Sequence, residues 1–174
     1  MKQKTSVIIA LGTNLGDRQK YLQAAVERLS EEFLENAVTS SVYESEPWGE
    51  IDQPKFLNMV IRGLSEWKPP AIVNFLKTVE RDLGRTQTKK NGPREIDLDL
   101  IAYGEMSWES EGVSVPHPSM LDRSFVLFPL AEVWPEWRHP LNQKTAASLV
   151  EEWLKSRPAS STKLGPLPPN TKNR

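Results

Sequence analysis

The chain contains no cysteine. That excludes a disulfide framework, a thiolate zinc site and a cysteine nucleophile. No apolar run approaches the ~20 residues that a membrane span needs. The first apolar run, Val7 to Leu11, is too short for the apolar region of a signal peptide, and Asp17 and Arg18 soon follow. A dominant charge is missing too, since the formal net charge is -1. Bulk charge therefore argues against non-specific nucleic-acid binding. We expect a soluble, cytoplasmic protein with neither a membrane nor a nucleic-acid partner. At 174 residues it reads as one domain, long enough to bury roughly 70% of its extended surface.

What the chain does have is concentrated in Gly92-Pro93-Arg94-Glu95-Ile96-Asp97-Leu98-Asp99-Leu100. Two carboxylates stand two positions apart inside an apolar run. A strand places residues i and i+2 on one face, ~6.6 Å apart. Asp97 and Asp99 then point one way while Ile96, Leu98 and Leu100 face the core. Like charges side by side repel and favour solvation. A divalent cation resolves that conflict, and two Mg²⁺ ions roughly 3.5–4 Å apart suit paired carboxylates with substrate phosphates. An acidic, half-exposed strand face is the plainer alternative.

Periodicity supplies the frame. Ser6 to Leu11 reads as a buried strand ended by Gly12. Leu22, Val26, Leu29 and Phe33 recur at helical spacing from Asp17, a plausible N-cap, to about Glu35. Val38 to Glu44 reads as a strand, Ser45 to Pro54 as a loop, and Phe56 to Leu64 as an alternating strand. Pro69 and Pro70 open a second helix whose stripe is Ile72, Phe75, Leu76, Val79 and Leu83, closed by Gly84. A basic loop, Arg85 to Arg94, leads to the strand Glu95 to Tyr103. The order β-α-β-β-α-β is that of a ferredoxin-like α+β core. A short strand at Val113 to Val115, a helix over Ser124 to Val133 and another over Thr145 to Lys155 follow. The spacing thus gives one domain over 1–156. Residues 157–174, rich in Pro, Ser, Thr, Asn and Lys, read as a disordered tail.

Several residue groups could carry chemistry. Arg85, Lys89, Lys90 and Arg94 lie in the loop before the acidic strand. Cations beside a metal site suit a polyphosphate, although most charge runs are merely solvated. Gly12 to Asp17 lacks both glycine-rich phosphate-loop patterns and reads as a tight turn. His117 stands between Pro116 and Pro118, with Arg123 and Phe125 close behind; His139 reads as structural. Trp48, Phe56 and Asn58 combine aromatic rings with an amide. Such a set suits a flat heterocycle, whose ring is stacked and whose edge is hydrogen-bonded. Ordinary core packing is the alternative for either ring.

In order and close spacing, these motifs resemble a known family. Tyr43-x-Ser45-x-Pro47-x-Gly49, Gln53-Pro54-x-Phe56-x-Asn58, Glu80 with Gly84-Arg85, Gly92-Pro93-Arg94-x-Ile96-Asp97-Leu98-Asp99, and Val115-Pro116-His117 with Arg123-x-Phe125 resemble 6-hydroxymethyl-7,8-dihydropterin pyrophosphokinases. The resemblance runs from about residue 6 to 133. It implies an enzyme of folate biosynthesis that moves the β,γ-diphosphate of ATP to a pterin alcohol. It also implies that Asp97 and Asp99 ligate two Mg²⁺ ions. Arg94, His117, Arg123 and Lys90 would contact phosphate, with Glu80 and Arg85 near the nucleotide or in the mobile loop. Arg94 and Arg85 join the two aspartates as the catalytic set. Asn58 would read the pterin edge, Phe56 and Phe125 would sandwich its ring, and Ser45, Glu46 and Trp48 would line the same pocket. Lys90-Asn91 departs from the family's common Arg-Trp, the loop is one residue shorter, and Gln87 or Thr88 stands near another frequent arginine. Lysine lacks the arginine fork.

The expected chemistry is in-line attack of the pterin hydroxymethyl oxygen on the β-phosphorus, with AMP leaving and no general base evident. A monomer or weak homodimer is the expected state. Two other classes compete. A ferredoxin-like RNA-binding module would show exposed aromatics on a basic sheet face. Another metal-dependent nucleotidyl or glycosyl transferase would share Asp-x-Asp but not the surrounding Gly-Pro-Arg and Pro-His motifs.

Overall fold

The computed structural model describes residues 3–48, 52–87, 90–158 and 160–170. Gly49, Thr88 and Lys89, singled out above, lie outside the described residues, as does the chain beyond 170.

The elements run β1 (Thr5–Thr13), α1 (Arg18–Glu32), β2 (Glu35–Thr39), β3 (Val42–Ser45), β4 (Phe56–Ser65), α2 (Pro69–Asp82) and β5 (Asp97–Tyr103). There follow β6 (Trp108–Ser110), β7 (Val113–Val115), a 3-10 turn (Met120–Asp122), α3 (Ser124–Val133), α4 (Ala146–Ser156) and β8 (Ser161–Gly165). The main sheet has the order β5-β1-β4-β3-β8, with β2 also on β4. Its pairings are antiparallel. This is the ferredoxin-like α+β arrangement, extended at one edge.

Local chemistry sets the helix ends. The Asp17 side chain caps α1 by accepting from the Lys20 N–H at 3.1 Å. Pro69 and Pro70 occupy the first turn of α2, where their missing donors cost nothing. Thr145 caps α4 through the Ser148 N–H.

The sheet is covered on both faces. Val7, Ile9 and Leu11 of β1 pack with Leu22, Leu29, Ile72, Leu76 and Val79 of α1 and α2. Ile8 points the other way, into a second core with Val60, Val126, Leu130 and Trp153 under α3 and α4. So β4 alternates between two cores rather than between core and water. Its Val60 is as buried as Met59 and Ile61.

Three readings need correction. Val38 to Glu44 is not one strand. The Val60 N–H donates to the Ser40 hydroxyl at 3.0 Å instead of to a backbone carbonyl, and this interrupts the ladder between β2 and β3. The β6–β7 hairpin adds a strand before Val113. Lastly, the expected disordered tail contains β8, which pairs with β3. Backbone pairing to an open sheet edge needs few apolar side chains, and so composition did not disclose it.

One polar knot fastens α3 to β3. The Glu132 carboxylate accepts from the Ser41 N–H, the Ser41 hydroxyl and the Tyr43 hydroxyl at 2.9, 2.8 and 2.7 Å. Burial alone would raise the Glu132 carboxyl. The bonds from Tyr43 and Ser41 outweigh it and hold the group below its ordinary value. A carboxyl depressed in the folded state stabilises above its unfolded pKa, and that stability is lost as pH falls through the folded value. Glu132→Gln should therefore lower stability by about 1–3 kcal/mol at pH 7 and by less at pH 3. Urea unfolding at both pH values checks this; an equal loss at both would contradict it.

Candidate active site

The cleft opens to solvent where β1, β3, β4, β5 and the start of α3 converge. Its floor is backbone. A side chain at Gly12 would press on Asn58 Oδ1 at 3.2 Å and on the Phe56 ring at 3.8 Å, so glycine keeps the floor open.

One wall is polar. Asp97 and Asp99 sit opposite Gly12 and Ala10 of β1 and both line the cleft. Ile96 before them and Leu98 between them are buried, as the period of two requires. Asp97 is already neutralised. Its Oδ1 accepts from Arg85 Nη1 at 2.8 Å and its Oδ2 from Arg94 Nη1 at 2.9 Å. Asp99 is less well served, with Arg123 Nη1 3.9 Å away. Its depth in the protein, and then the charge of Asp97, raise its carboxyl.

Behind this wall lies Glu80. It is buried, and its Oε1 accepts from the Leu98 N–H at 2.7 Å and lies 2.7 Å from Arg85 Nη1. Burial raises the Glu80 carboxyl, against the pull of Lys77 and Arg85. The geometry makes it a brace for β5 and for Arg85. The resemblance implies a place for Glu80 near the nucleotide or in the mobile loop; it lines the basic groove, and its carboxylate holds the Leu98 N–H, Arg85 and Lys77.

The other wall is aromatic. Phe56, Trp48 and Phe125 line it with Ser45, Glu46 and Asn58. The Asn58 amide donates to Ser45 Oγ at 2.8 Å, which leaves its carbonyl oxygen toward the floor. The Arg123 guanidinium lies 5.5 Å from the Trp48 ring and 5.9 Å from Phe125. Arg123 Nε is buried with no partner among the described residues, a donor that an anionic or polar guest would satisfy.

Beyond Arg94 the cleft runs into a basic groove lined by Lys77, Glu80, Arg81, Arg85 and Lys90, with Asn91 and Arg94 common to both. His117 lines neither opening. It sits by Asp99, and burial pushes its imidazole down, with Asp99 opposing and Arg123 assisting. The Ser119 N–H donates to its Nδ1 at 3.2 Å, so the neutral ring carries its proton on Nε2.

The residues thus brought together are those the sequence singled out, with Glu80 in the basic groove and His117 beside Asp99. Sequence reasoning missed Asn14. It is buried, and its side chain donates to Gln53 and to the Pro54 carbonyl at 2.9 Å each and accepts the Arg94 N–H at 2.9 Å. Gln53 in turn donates to the Asn91 carbonyl at 2.8 Å. One amide therefore joins three loops around the cleft. Its only sign in the sequence was a turn-forming Asn after Gly12.

Comparison with known proteins agrees with this geometry. The model of the 7,8-dihydro-6-hydroxymethylpterin-pyrophosphokinase family matches residues 8–135. The chain belongs to this family. It is 40% identical over 139 residues to the 2-amino-4-hydroxy-6-hydroxymethyldihydropteridine pyrophosphokinase of Aquifex aeolicus, covering 80% of this chain and 86% of that protein. The Porphyromonas gingivalis protein of the same name is 41% identical over 138 residues, covering 77% and 93%. The folic acid synthesis protein fol1 of Pneumocystis carinii is 39% identical over 147 residues, covering 84% of this chain and 20% of that protein. Among solved structures, wild-type Plasmodium falciparum HPPK-DHPS superimposes with a TM-score of 0.71 at 13% identity, over 94% of this chain and 48% of that one. That likeness speaks for the fold. No helix among the described residues is long and apolar enough to cross a membrane.

Glu80→Ala would strand the Leu98 N–H and leave Arg85 to Asp97 alone. We expect it to cost about 2–4 kcal/mol, more than Glu80→Gln, which keeps an acceptor. Chemical denaturation of the two variants measures the difference; equal costs would remove the bracing role.

Proposed function

We propose that this pyrophosphokinase-family chain transfers the β,γ-diphosphate of ATP to the hydroxymethyl group of 6-hydroxymethyl-7,8-dihydropterin and releases AMP. The observation that carries the reading is the union in one cleft of an aromatic wall with an amide and a wall of paired carboxylates flanked by arginines. The first suits a flat heterocycle and the second a polyphosphate with its cation.

The donor set fits Mg²⁺. Asp97 and Asp99 offer hard oxygen ligands on one strand face, and Mg²⁺ favours one or two carboxylates with phosphates and waters. No cluster of three or more potential ligand side chains occurs among the described residues, so substrate oxygens would complete such a site. Asp97 and Asp99 would hold the ions, which offset phosphate charge and polarise the β-phosphoryl group.

The chain's own residues would do the rest. Phe56 and Phe125 hold the pterin ring, and Asn58 with Ser45 reads its edge. Arg94, shared by both openings, contacts the phosphate that passes between substrates. Arg123 and neutral His117 donate from the Asp99 side, and Arg85 and Lys90 from the groove. The hydroxymethyl oxygen forms a bond to the β-phosphorus as the bond to the α,β-bridging oxygen breaks. The hydroxyl proton passes to solvent. Rate comes mostly from positioning, an effect worth ~7–11 kcal/mol in favourable cases.

Release of AMP that requires both ATP and the pterin alcohol tests the reading; AMP formation independent of the pterin would reject it. Asp97→Asn should lower this transfer at least ~100-fold with an unchanged circular dichroism spectrum. Near-native turnover of that variant in Mg²⁺ would remove Asp97 from the metal set. Asn58→Ala should weaken pterin binding about tenfold by calorimetry while leaving a non-hydrolysable ATP analogue unaffected. Equal losses for both ligands would count against the pocket.

A further inference from the structure

Residues 160–168 touch both walls of the aromatic half of the cleft, and they fall outside the stretch that the family model matches. β8 lies along the outer edge of β3, with Ser161 opposite Ser45, Thr162 opposite Glu44 and Lys163 opposite Tyr43. Just before it, Ser160 Oγ lies 2.5 Å from Ser124 Oγ, and Ser161 Oγ is 3.3 Å from the same atom. Ser124 is fully buried and sits between Arg123 and Phe125, two side chains of the cleft. The segment is also fixed at its far end. The Pro168 carbonyl accepts from Gln23 of α1 at 2.7 Å, and Leu167 packs on the first core.

Each wall needs this support for a separate reason. β3 is only four residues long, and without β8 its outer N–H and C=O groups would face water as an open edge. A short edge strand frays readily, and Ser45 at its end holds the Asn58 amide. On the other side, α3 has no side-chain cap at its first turn. The orientation of Arg123 and Phe125 therefore leans on the contact through Ser124. The walls meet across the opening where Arg123 lies over Trp48.

We propose that residues 160–168 act as a strap that ties the β3 wall to the Phe125 wall and so sets affinity for the pterin. Affinity for ATP is set mainly elsewhere, in the basic groove built from α2 and the loop after it; Arg123 is the one proposed phosphate donor beside the strap, and Asp99 also holds it. The strap touches no reacting atom. It works by holding the pocket in its bound form before the guest arrives, which lowers the ordering cost of binding. The inference rests on the pterin reading above.

The test is calorimetry with 6-hydroxymethyl-7,8-dihydropterin and, separately, a non-hydrolysable ATP analogue with Mg²⁺. Three proteins are compared: the intact chain, a chain ended after Arg157, and the double variant Ser160→Ala/Ser161→Ala. Truncation should weaken the pterin about tenfold or more and the double variant about threefold, with the ATP analogue within about twofold throughout. Ser160→Thr/Ser161→Thr, which keeps both hydroxyls, should bind the pterin like the intact chain. Unchanged pterin affinity in the alanine variant and the truncation, or equal weakening of both ligands, overturns the strap. If the truncated chain fails to unfold cooperatively, the serine variants decide alone. Pterin binding without pterin-dependent AMP release by the intact chain rejects the reaction and leaves the strap to be judged on affinity. An intact chain that binds no pterin overturns both.

Discussion

Asp97 holds two guanidiniums at once, and the polar half of the cleft is organised around that arrangement. Two carboxylates ~6.6 Å apart repel by roughly 2–3 kcal/mol at an effective dielectric of 20. Arg85 and Arg94 offset this on the Asp97 side. Arg85 also meets Glu80, whose carboxylate in turn fixes the backbone of β5 at Leu98. Three carboxylates and the arginines 85, 94 and 123 thus form a nearly balanced cluster. A triphosphate added to it finds these arginines already engaged with carboxylates. Its charge can be accommodated if divalent cations come with it and take over the aspartates, which frees Arg85 and Arg94 for phosphate oxygens. On the proposed reading, metal and nucleotide would bind as one unit, and the arginines would exchange carboxylate for phosphate partners.

The aromatic half follows a different logic. Its position depends on the sheet rather than on charge. Phe56 and Asn58 leave β4 toward the cleft at the end where β3 pairs with it, and Gly12 on the neighbouring strand keeps the floor low. Since the sheet is covered on both faces, this end of it is where the layers part. Asn14 then ties the rims together, because one buried amide contacts the backbone of Pro54 and Arg94 and the side chain of Gln53.

What could be read from the chain divides along a physical line. The strand carrying Asp97 and Asp99 was legible because a period of two is local, and so were the cap at Asp17 and the proline start of α2. The interruption at Ser40 was not, since it depends on a hydroxyl replacing a carbonyl opposite Val60, twenty residues away in sequence. Glu132 and Tyr43 are 89 residues apart, and nothing near either announces the other. The tail misled for a related reason. Its few apolar residues predicted disorder, yet edge pairing, two serine hydroxyls and one partly buried leucine were enough to order residues 160–168. Roles at the site were legible only through the family resemblance, because an Asp-x-Asp pair and a basic loop occur in many unrelated chemistries.

The departure at Lys90-Asn91 can be understood on the same terms. Asn91 adopts a φ of 63°, a conformation that Asn tolerates far better than a bulky aromatic does. Its carbonyl accepts from Gln53, so this residue turns the chain and bonds the opposite rim through its backbone. A tight turn here brings Arg94 back to Asp97, as the shorter loop implied by the resemblance would require. A large side chain at 91 would have to adopt that backbone or break the bond to Gln53. The substitution is therefore consistent with a rim joined by backbone contacts, where a longer loop could reach across with an aromatic side chain.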